Sequence, residues 1–346
     1  MIRLSVKILK AVRLKLFLAC TAVPVTTTLI AQEIIPLAST PGISIRGLSV
    51  LNDSVIWVSG SSGTVGISTN GGNSFRWIKV PGFENRDFRD IEGFDSNVAI
   101  IMGVAYPAII LKTIDGGLQW KTVFIDSTKG MFLDAMDFSG SLGAVIGDPV
   151  GGRIFISTSK NSGDSWAASP ISRNVAISDG EAFFASSGTN IRIWRDSVLL
   201  FASGGKKSSF FLSSKMAYRL PMQQGRESTG ANSLAIFPQR NATKGIVVGG
   251  DFANDTSNFG NCVLLTLSPF SMSKPETPPH GYRSAVDYIS ADTLICCGTS
   301  GVDVSIDGGK NWRLISKESF HVCQKSRNGK MVVLAGSKGR VAKLSW

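Results

Sequence analysis

Val304-Ser-Ile-Asp-Gly-Gly-Lys-Asn-Trp-Arg-Leu-Ile315 ends one apolar run on Asp-Gly-Gly and opens the next on a tryptophan. Alone it predicts strand, tight turn, strand. It is not alone. Ser68-Thr-Asn-Gly-Gly-Asn-Ser-Phe75, Thr113-Ile-Asp-Gly-Gly-Leu-Gln-Trp120 and Ser159-Lys-Asn-Ser-Gly-Asp-Ser-Trp166 share its template with Ser305-Ile-Asp-Gly-Gly-Lys-Asn-Trp312. The template reads hydroxyl, any, Asp or Asn, any, Gly, any, polar, aromatic. The copies start 45, 46 and 146 residues apart, the last gap being three periods with insertions. A period of this size marks stacked supersecondary units that bury their faces on one another.

Each conserved position of the template has a physical task. The Asp or Asn (Asn70, Asp115, Asn161, Asp307) accepts hydrogen bonds from turn N–H groups. Gly72, Gly117, Gly163 and Gly309 supply positive φ at little steric cost. The hydroxyls of Ser68, Thr113, Ser159 and Ser305 bond the same turn, and Phe75, Trp120, Trp166 and Trp312 open the next strand. One carboxylate per copy is too few oxygens for a calcium loop.

Between the turns the pattern is period-two strands with turn punctuation, four per period and no helical periodicity. This predicts an all-β, seven-bladed β-propeller of four-stranded antiparallel blades. Blades begin near Ser44, Phe88, Phe132, Glu181, Asn232, Tyr282 and Phe320. In blades 4 and 5 the template is lost, with FASGGKKSSFFLS and GNCVLLTLSPF in its place. The seventh blade has three strands before Trp346, and EIIPLAS, 33–39, supplies the missing outer one. That closure protects sheet edges.

The first 31 residues differ. Five basic residues and no acid (Arg3, Lys7, Lys10, Arg13, Lys15) precede an uncharged run from Leu16 to Ala31. This predicts a secretory signal over 1–31, an exported protein in the periplasm or medium, and one propeller domain over 32–346. Pro24 and three threonines interrupt the run, which argues against a membrane span. Phe17-Leu-Ala-Cys20 weakly resembles a lipoprotein box, so a lipid anchor on Cys20 is the alternative. Of the net charge of +11, the leader carries five, leaving a mildly basic remainder with no basic run, so nucleic acid is not expected as a partner.

Cys262, Cys296, Cys297 and Cys323 remain after export and include no Cys-x-x-Cys; only His280 and His321 could join them, so no metal site is expected. One or two disulfides, with Cys323 bonded to one of the adjacent pair, compete with a reading as small core residues.

At these residues the chain resembles a known group. The four turns look like Asp-boxes, or bacterial neuraminidase repeats. The whole pattern, over 45–346, resembles the photosystem II stability/assembly factor-like propellers of exported bacterial proteins. FRDIEGF (88–94), VIGDPVGG with RIFISTS (145–159), GEAFFASSGTN (180–190), GRESTGANSLAIF with GIVVGGDF, and GYRSAVDY strengthen the likeness. The resemblance implies a hairpin and a fold, not an activity, because Asp-boxes occur in sialidases, other glycosidases, sorting receptors and assembly factors. A sialidase needs three arginines, a Tyr–Glu pair and an acidic donor. Arg46, Arg89, Arg283 and Tyr282 open inner strands, but the Phe/Tyr-Arg-Ile-Pro motif is absent. Gly309-Lys-Asn-Trp312 is reminiscent of a quinone-dependent dehydrogenase, but the turn template explains it, and no residue pattern implies a cofactor.

In a propeller the starts of the innermost strands converge on the channel rim. Those positions are Arg46, Arg89, Asp90, Asp134, Glu181, Glu227, Arg283 and His321, a ring of both signs expected to bind a protein or carbohydrate ligand. Mutual ion pairing around a wet channel is the competing reading. Asp148-Pro149 and Gly250-Asp251 are expected on the opposite face. Two function classes follow: a monomeric binding or assembly protein, or a glycoside hydrolase using Glu181 and Glu227.

Overall fold

The computed structural model describes residues 32–346 apart from 196, 213–215 and 240–242. The signal segment and Cys20 lie outside the described residues. Seven four-stranded antiparallel blades follow one another along the chain. Blade 1 runs Ile45–Val50, Ile56–Gly60, Thr64–Ser68, Arg76–Lys79; blade 2 runs Phe88–Gly93, Ala99–Gly103, Ala108–Thr113, Lys121–Asp126. Blade 3 occupies Leu133–Ser139 to Ala167–Ala168, blade 5 Thr229–Phe237 to Phe270–Ser273, and blade 6 Ala285–Tyr288 to Arg313–Ser316. Blade 7 takes Val322–Lys325, Val332–Ala335 and Val341–Ser345 from the C-terminal end of the chain. Its outer strand is Glu33–Ala38, paired antiparallel with Val341–Ser345. The chain thus closes on itself as a ring.

Among the described residues the buried apolar side chains form seven clusters, and each spans one blade-to-blade interface. Trp57 and Val65 of blade 1 meet Ile91 and Ile101 of blade 2. Val333 and Val341 of blade 7 meet Leu48 and Val58 of blade 1. No blade has a core of its own, so the blades stabilise one another as flat layers.

The four turns share one set of hydrogen bonds. In blade 6 the Gly309 N–H donates to Ser305 Oγ at 2.9 Å, Ser305 Oγ donates to Asp307 Oδ1 at 2.8 Å, and the Asn311 N–H donates to the same oxygen at 3.0 Å. The blade 1 turn repeats them at 2.9, 3.0 and 3.0 Å through Ser68 and Asn70. The template glycine meets two demands. Its φ is positive, 84° at Gly72 and 88° at Gly309. It also presses on the preceding blade: a Cβ at Gly72 would sit 2.6 Å from Leu37, and one at Gly309 2.8 Å from Leu264. The turn therefore fixes blade spacing as well as ending a strand.

Blade 4 departs from the expected register. Glu181–Ala182 forms a two-residue strand on Gly204–Gly205 and belongs to the sheet of blade 5, while the inner strand of blade 4 begins at Ile191. Gly180 and Gly188, both at positive φ, break the run on either side of Phe183 and Phe184 and prevent one continuous strand. FASGGKKSSFFLS supplies the second and third strands of this blade, Val198–Ala202 and Ser209–Leu212.

Cys262, Cys296, Cys297 and Cys323 are free thiols buried in the inter-blade clusters, so they pack as small apolar residues. No helix of the described residues is long and apolar enough to cross a membrane.

Candidate functional site

The inner strands all enter the channel at one end, and a cavity of about 500 Å³ opens there. Arg46 of blade 1, Arg89 of blade 2, Asp134 of blade 3 and His321 at the entry to blade 7 line it. Phe184, Phe252 and Tyr282 form an aromatic wall, with ring centroids 5.8 Å apart for the first pair and 6.2 Å for the second. Asp148 and Phe132 complete the side next to Asp134.

Two guanidinium groups give this mouth its positive side. Arg46 donates to the Ser186 carbonyl at 3.1 Å, and Arg89 donates to Asp87 Oδ2 at 3.1 Å while lying 5.9 Å from the centre of the Phe132 ring. Burial, and then the charge of Arg89, hold Arg46 below its ordinary pKa. Burial, and then Arg46, pull His321 down to about 4, so its ring is neutral and its Nδ1 donates to the Ile45 carbonyl at 2.9 Å. The Tyr282 hydroxyl is pushed up to about 12 by burial and donates to Asn232 Oδ1 at 2.8 Å.

The side next to Arg89, on blade 3, is acidic. Asp134 is wholly buried, and its carboxyl lies well above the usual range because of burial and then the neighbouring Asp148 charge. Asp148 is half-buried and also raised by burial; its Oδ1 accepts the Phe183 N–H at 3.0 Å.

Other expected rim residues are placed elsewhere. Asp90 turns to the far end of the channel, where its carboxylate accepts the Ile91 N–H at 2.8 Å and the Met136 N–H at 2.7 Å. Arg283 points into blade 6; fully buried, it donates to Asp303 Oδ2 from Nε at 2.7 Å, to the Tyr282 carbonyl and to Ser300. Glu181 is buried with one oxygen accepting the Ser203 hydroxyl and the other the Ser178 N–H at 3.1 Å. Glu227 is exposed beside it in a neighbouring groove. Asp148 and Asp251 lie at the entry end, not on the opposite face, because an antiparallel hairpin returns its second strand to where the first began. Leu133 pairs with Gly147 and Thr229 with Asp251. That parity was readable in the sequence. The aromatic wall was not, because Phe183, Phe184 and Phe252 lie in irregular segments.

At the far end hydrogen bonds tie neighbouring blades together around a second cavity. An inner-strand side chain of six blades accepts a backbone N–H of the next blade: Ser49 from Gly93, Asp90 from Met136, Asp137 from Ile193, Ser233 from Val286, Asp287 from Lys325, and Gln324 from Val50. Between blades 4 and 5 the Thr189 carbonyl takes this part, accepting the Leu234 N–H. These side chains are spent on holding the ring. Among the described residues no group of three or more His, Cys, Asp or Glu is placed to hold a metal ion.

No family model matches the sequence, and no curated protein matches it. Solved structures do match. "YCF48 bound to D1 peptide" aligns at TM-score 0.59 and 17% identity over 90% of this chain and 96% of that one. YCF48 from Cyanidioschyzon merolae aligns at 0.59 and 16%, over 90% and 98%. The GH74 enzyme of Niastella koreensis aligns at 0.59 and 12%, over 89% of this chain and 53% of that chain. At these identities the likeness is one of fold, and it places the chain among the seven-bladed β-propellers.

Proposed function

We propose that this chain is an exported binding or assembly protein whose channel mouth captures a carboxylate-bearing segment of a protein partner. One observation carries the reading. Arg46 and Arg89 stand close enough for one to depress the other's charging, at the edge of an open, aromatic-walled cavity. A carboxylate seated between them would relieve that repulsion and accept bidentate bonds from a guanidinium. The wall of Phe184, Phe252 and Tyr282 offers apolar area to a neighbouring side chain. The peptide in the similar YCF48 structure is consistent with a propeller used this way. Hydrolysis of a glycoside is less well supported, because both oxygens of Glu181 are already occupied.

The test is calorimetric titration with short peptides ending in a free carboxylate or an amide. The carboxylate is expected to bind at least about tenfold more tightly, and Arg46→Ala or Arg89→Ala to abolish the difference. Equal affinity for acid and amide sinks the proposal.

A further inference from the structure

The acidic side of the mouth is unexplained by an anion site. Asp134 is 0% exposed, and neither of its carboxyl oxygens makes a hydrogen bond of good geometry. The N–H groups of Ala185 and Asp148 lie near enough to favour the ionised form, but the Asp148 N–H already donates to the Phe132 carbonyl at 2.9 Å. Folded proteins rarely leave a buried polar group in this condition without a use for it. Beside it, Asp148 is half-buried and lines the same cavity; its Oδ1 takes the Phe183 N–H, which leaves Oδ2 unbonded among the described residues. The two acids belong to one hairpin of blade 3, where Leu133 and Gly147 are direct partners.

We infer that Asp148 and Asp134 form a receptor for a cationic group of the ligand, a primary ammonium or a guanidinium, so that the mouth reads a segment carrying both charges. The inference rests on the carboxylate-capturing reading above and extends it to a second subsite. Asp148 makes the contact. Asp134, enclosed behind it, supplies the second negative charge by releasing its proton to solvent when the cation arrives. Until then burial and the neighbouring Asp148 charge favour the protonated form of Asp134. The groups facing the pair are Arg89 from blade 2, which favours its ionisation, with Arg46 from blade 1, neutral His321 from the entry to blade 7 and Tyr282 from blade 6 across the cavity. Arg89 does not already fill the subsite, since its guanidinium is held by Asp87. Two carboxylates without further oxygen ligands are a poor metal site, and a single organic cation suits them better.

Four N-acetyl dipeptides test this: Lys-Phe and norleucine-Phe, each with a free or an amidated C-terminus, titrated calorimetrically at pH 6 and pH 8 in two buffers of different ionisation enthalpy. The lysine peptides are expected to bind about tenfold more tightly than the norleucine ones at pH 8, with a smaller preference at pH 6 and proton release on binding. Asp148→Asn is expected to remove the preference. Asp134→Asn is expected to keep part of it but to lose the pH dependence and the released proton, which a merely structural role would not do. Equal affinity for lysine and norleucine peptides in the unaltered protein overturns the inference, and so does a preference that survives both substitutions unchanged. If lysine is preferred but acid and amide bind alike, the carboxylate reading falls and this one stands. If acid is preferred and lysine is not, the reverse holds. Failure of all four peptides to bind overturns both.

Discussion

Glu92 offers a test in which removing a partly buried ion pair should strengthen the fold. It lies on the inner strand of blade 2, Phe88–Gly93, and lines the cavity at the far end of the channel with its side chain 13% exposed and paired to Arg327. Burial raises its carboxyl from 4.5 to about 7; Arg327 pulls it down and Asp137 pushes it up, but burial wins. Because the folded state holds the proton more tightly than the unfolded chain, stability is undiminished below pH 4.5. It is lost progressively as pH rises to about 7 and stays lost above that. The rise from 4.5 to about 7 corresponds to about 3 kcal/mol. Gln keeps the shape and cannot ionise. Arg327 retains the Ser49 hydroxyl at 2.9 Å and the Gly93 carbonyl at 3.3 Å, so its own charge is not stranded. Glu92→Gln should therefore stabilise the protein by about 2–3 kcal/mol at pH 8 and by less than about 1 kcal/mol at pH 5. Urea unfolding followed by tryptophan fluorescence at both pH values measures the difference, and titrating groups remote from Glu92 cancel in it. A variant less stable than the parent at pH 8 would show that the Arg327 pair outweighs the desolvation of Glu92, and would refute the argument.

Two further substitutions probe the frame. Arg283→Met leaves Asp303, itself 0% exposed, with His280 as its remaining side-chain partner, and should cost about 3–5 kcal/mol in the same urea assay; a cost under about 1 kcal/mol would mean the buried pair contributes little. Ser305→Ala strands the buried Gly309 N–H and removes one of the bonds to Asp307, and should cost about 1–2 kcal/mol, with Ser68→Ala costing a similar amount in blade 1. Neutral behaviour of both would remove the turn from the list of stabilising features.

The turns were legible because their chemistry is local. A hydroxyl, an Asp or Asn two residues on and a Gly four residues on satisfy one another within eight residues, so spacing alone reveals them. The seventh blade was legible for a related reason: a three-stranded remainder has an unpaired edge, and Glu33–Ala38 was the one unassigned strand able to cover it. What failed depended on direction. Placing Asp148 on the wrong face was an error of counting hairpin ends. Treating Arg283 and Arg89 alike ignored that a residue at a strand start can face the channel or its own blade. In blade 6 Asp303 on the third strand, Gly301–Ser305, captures the guanidinium. Glu181 misled because an apolar run, Ala182 to Ala185, imitates a strand that two positive-φ glycines break.

The two ends of the channel put the same residue types to different uses. Closing seven sheets into a ring requires that neighbouring inner strands be tied together, because the apolar clusters between blades set spacing but not the height of one strand against the next. At the far end that tie is made by side chains, and Asp90, Asp137 and Asp287 each give an oxygen to a neighbour's N–H. Burial raises all three carboxyls, yet each is bonded and none is available to a ligand. At the entry end the strands diverge into loops, and their charged residues carry no such duty. Arg46 reaches the Ser186 carbonyl before blade 4, Arg89 reaches Asp87 just before its own strand, and Asp134 makes no hydrogen bond of good geometry. The same residue types therefore act as mortar at one end and remain open to chemistry at the other.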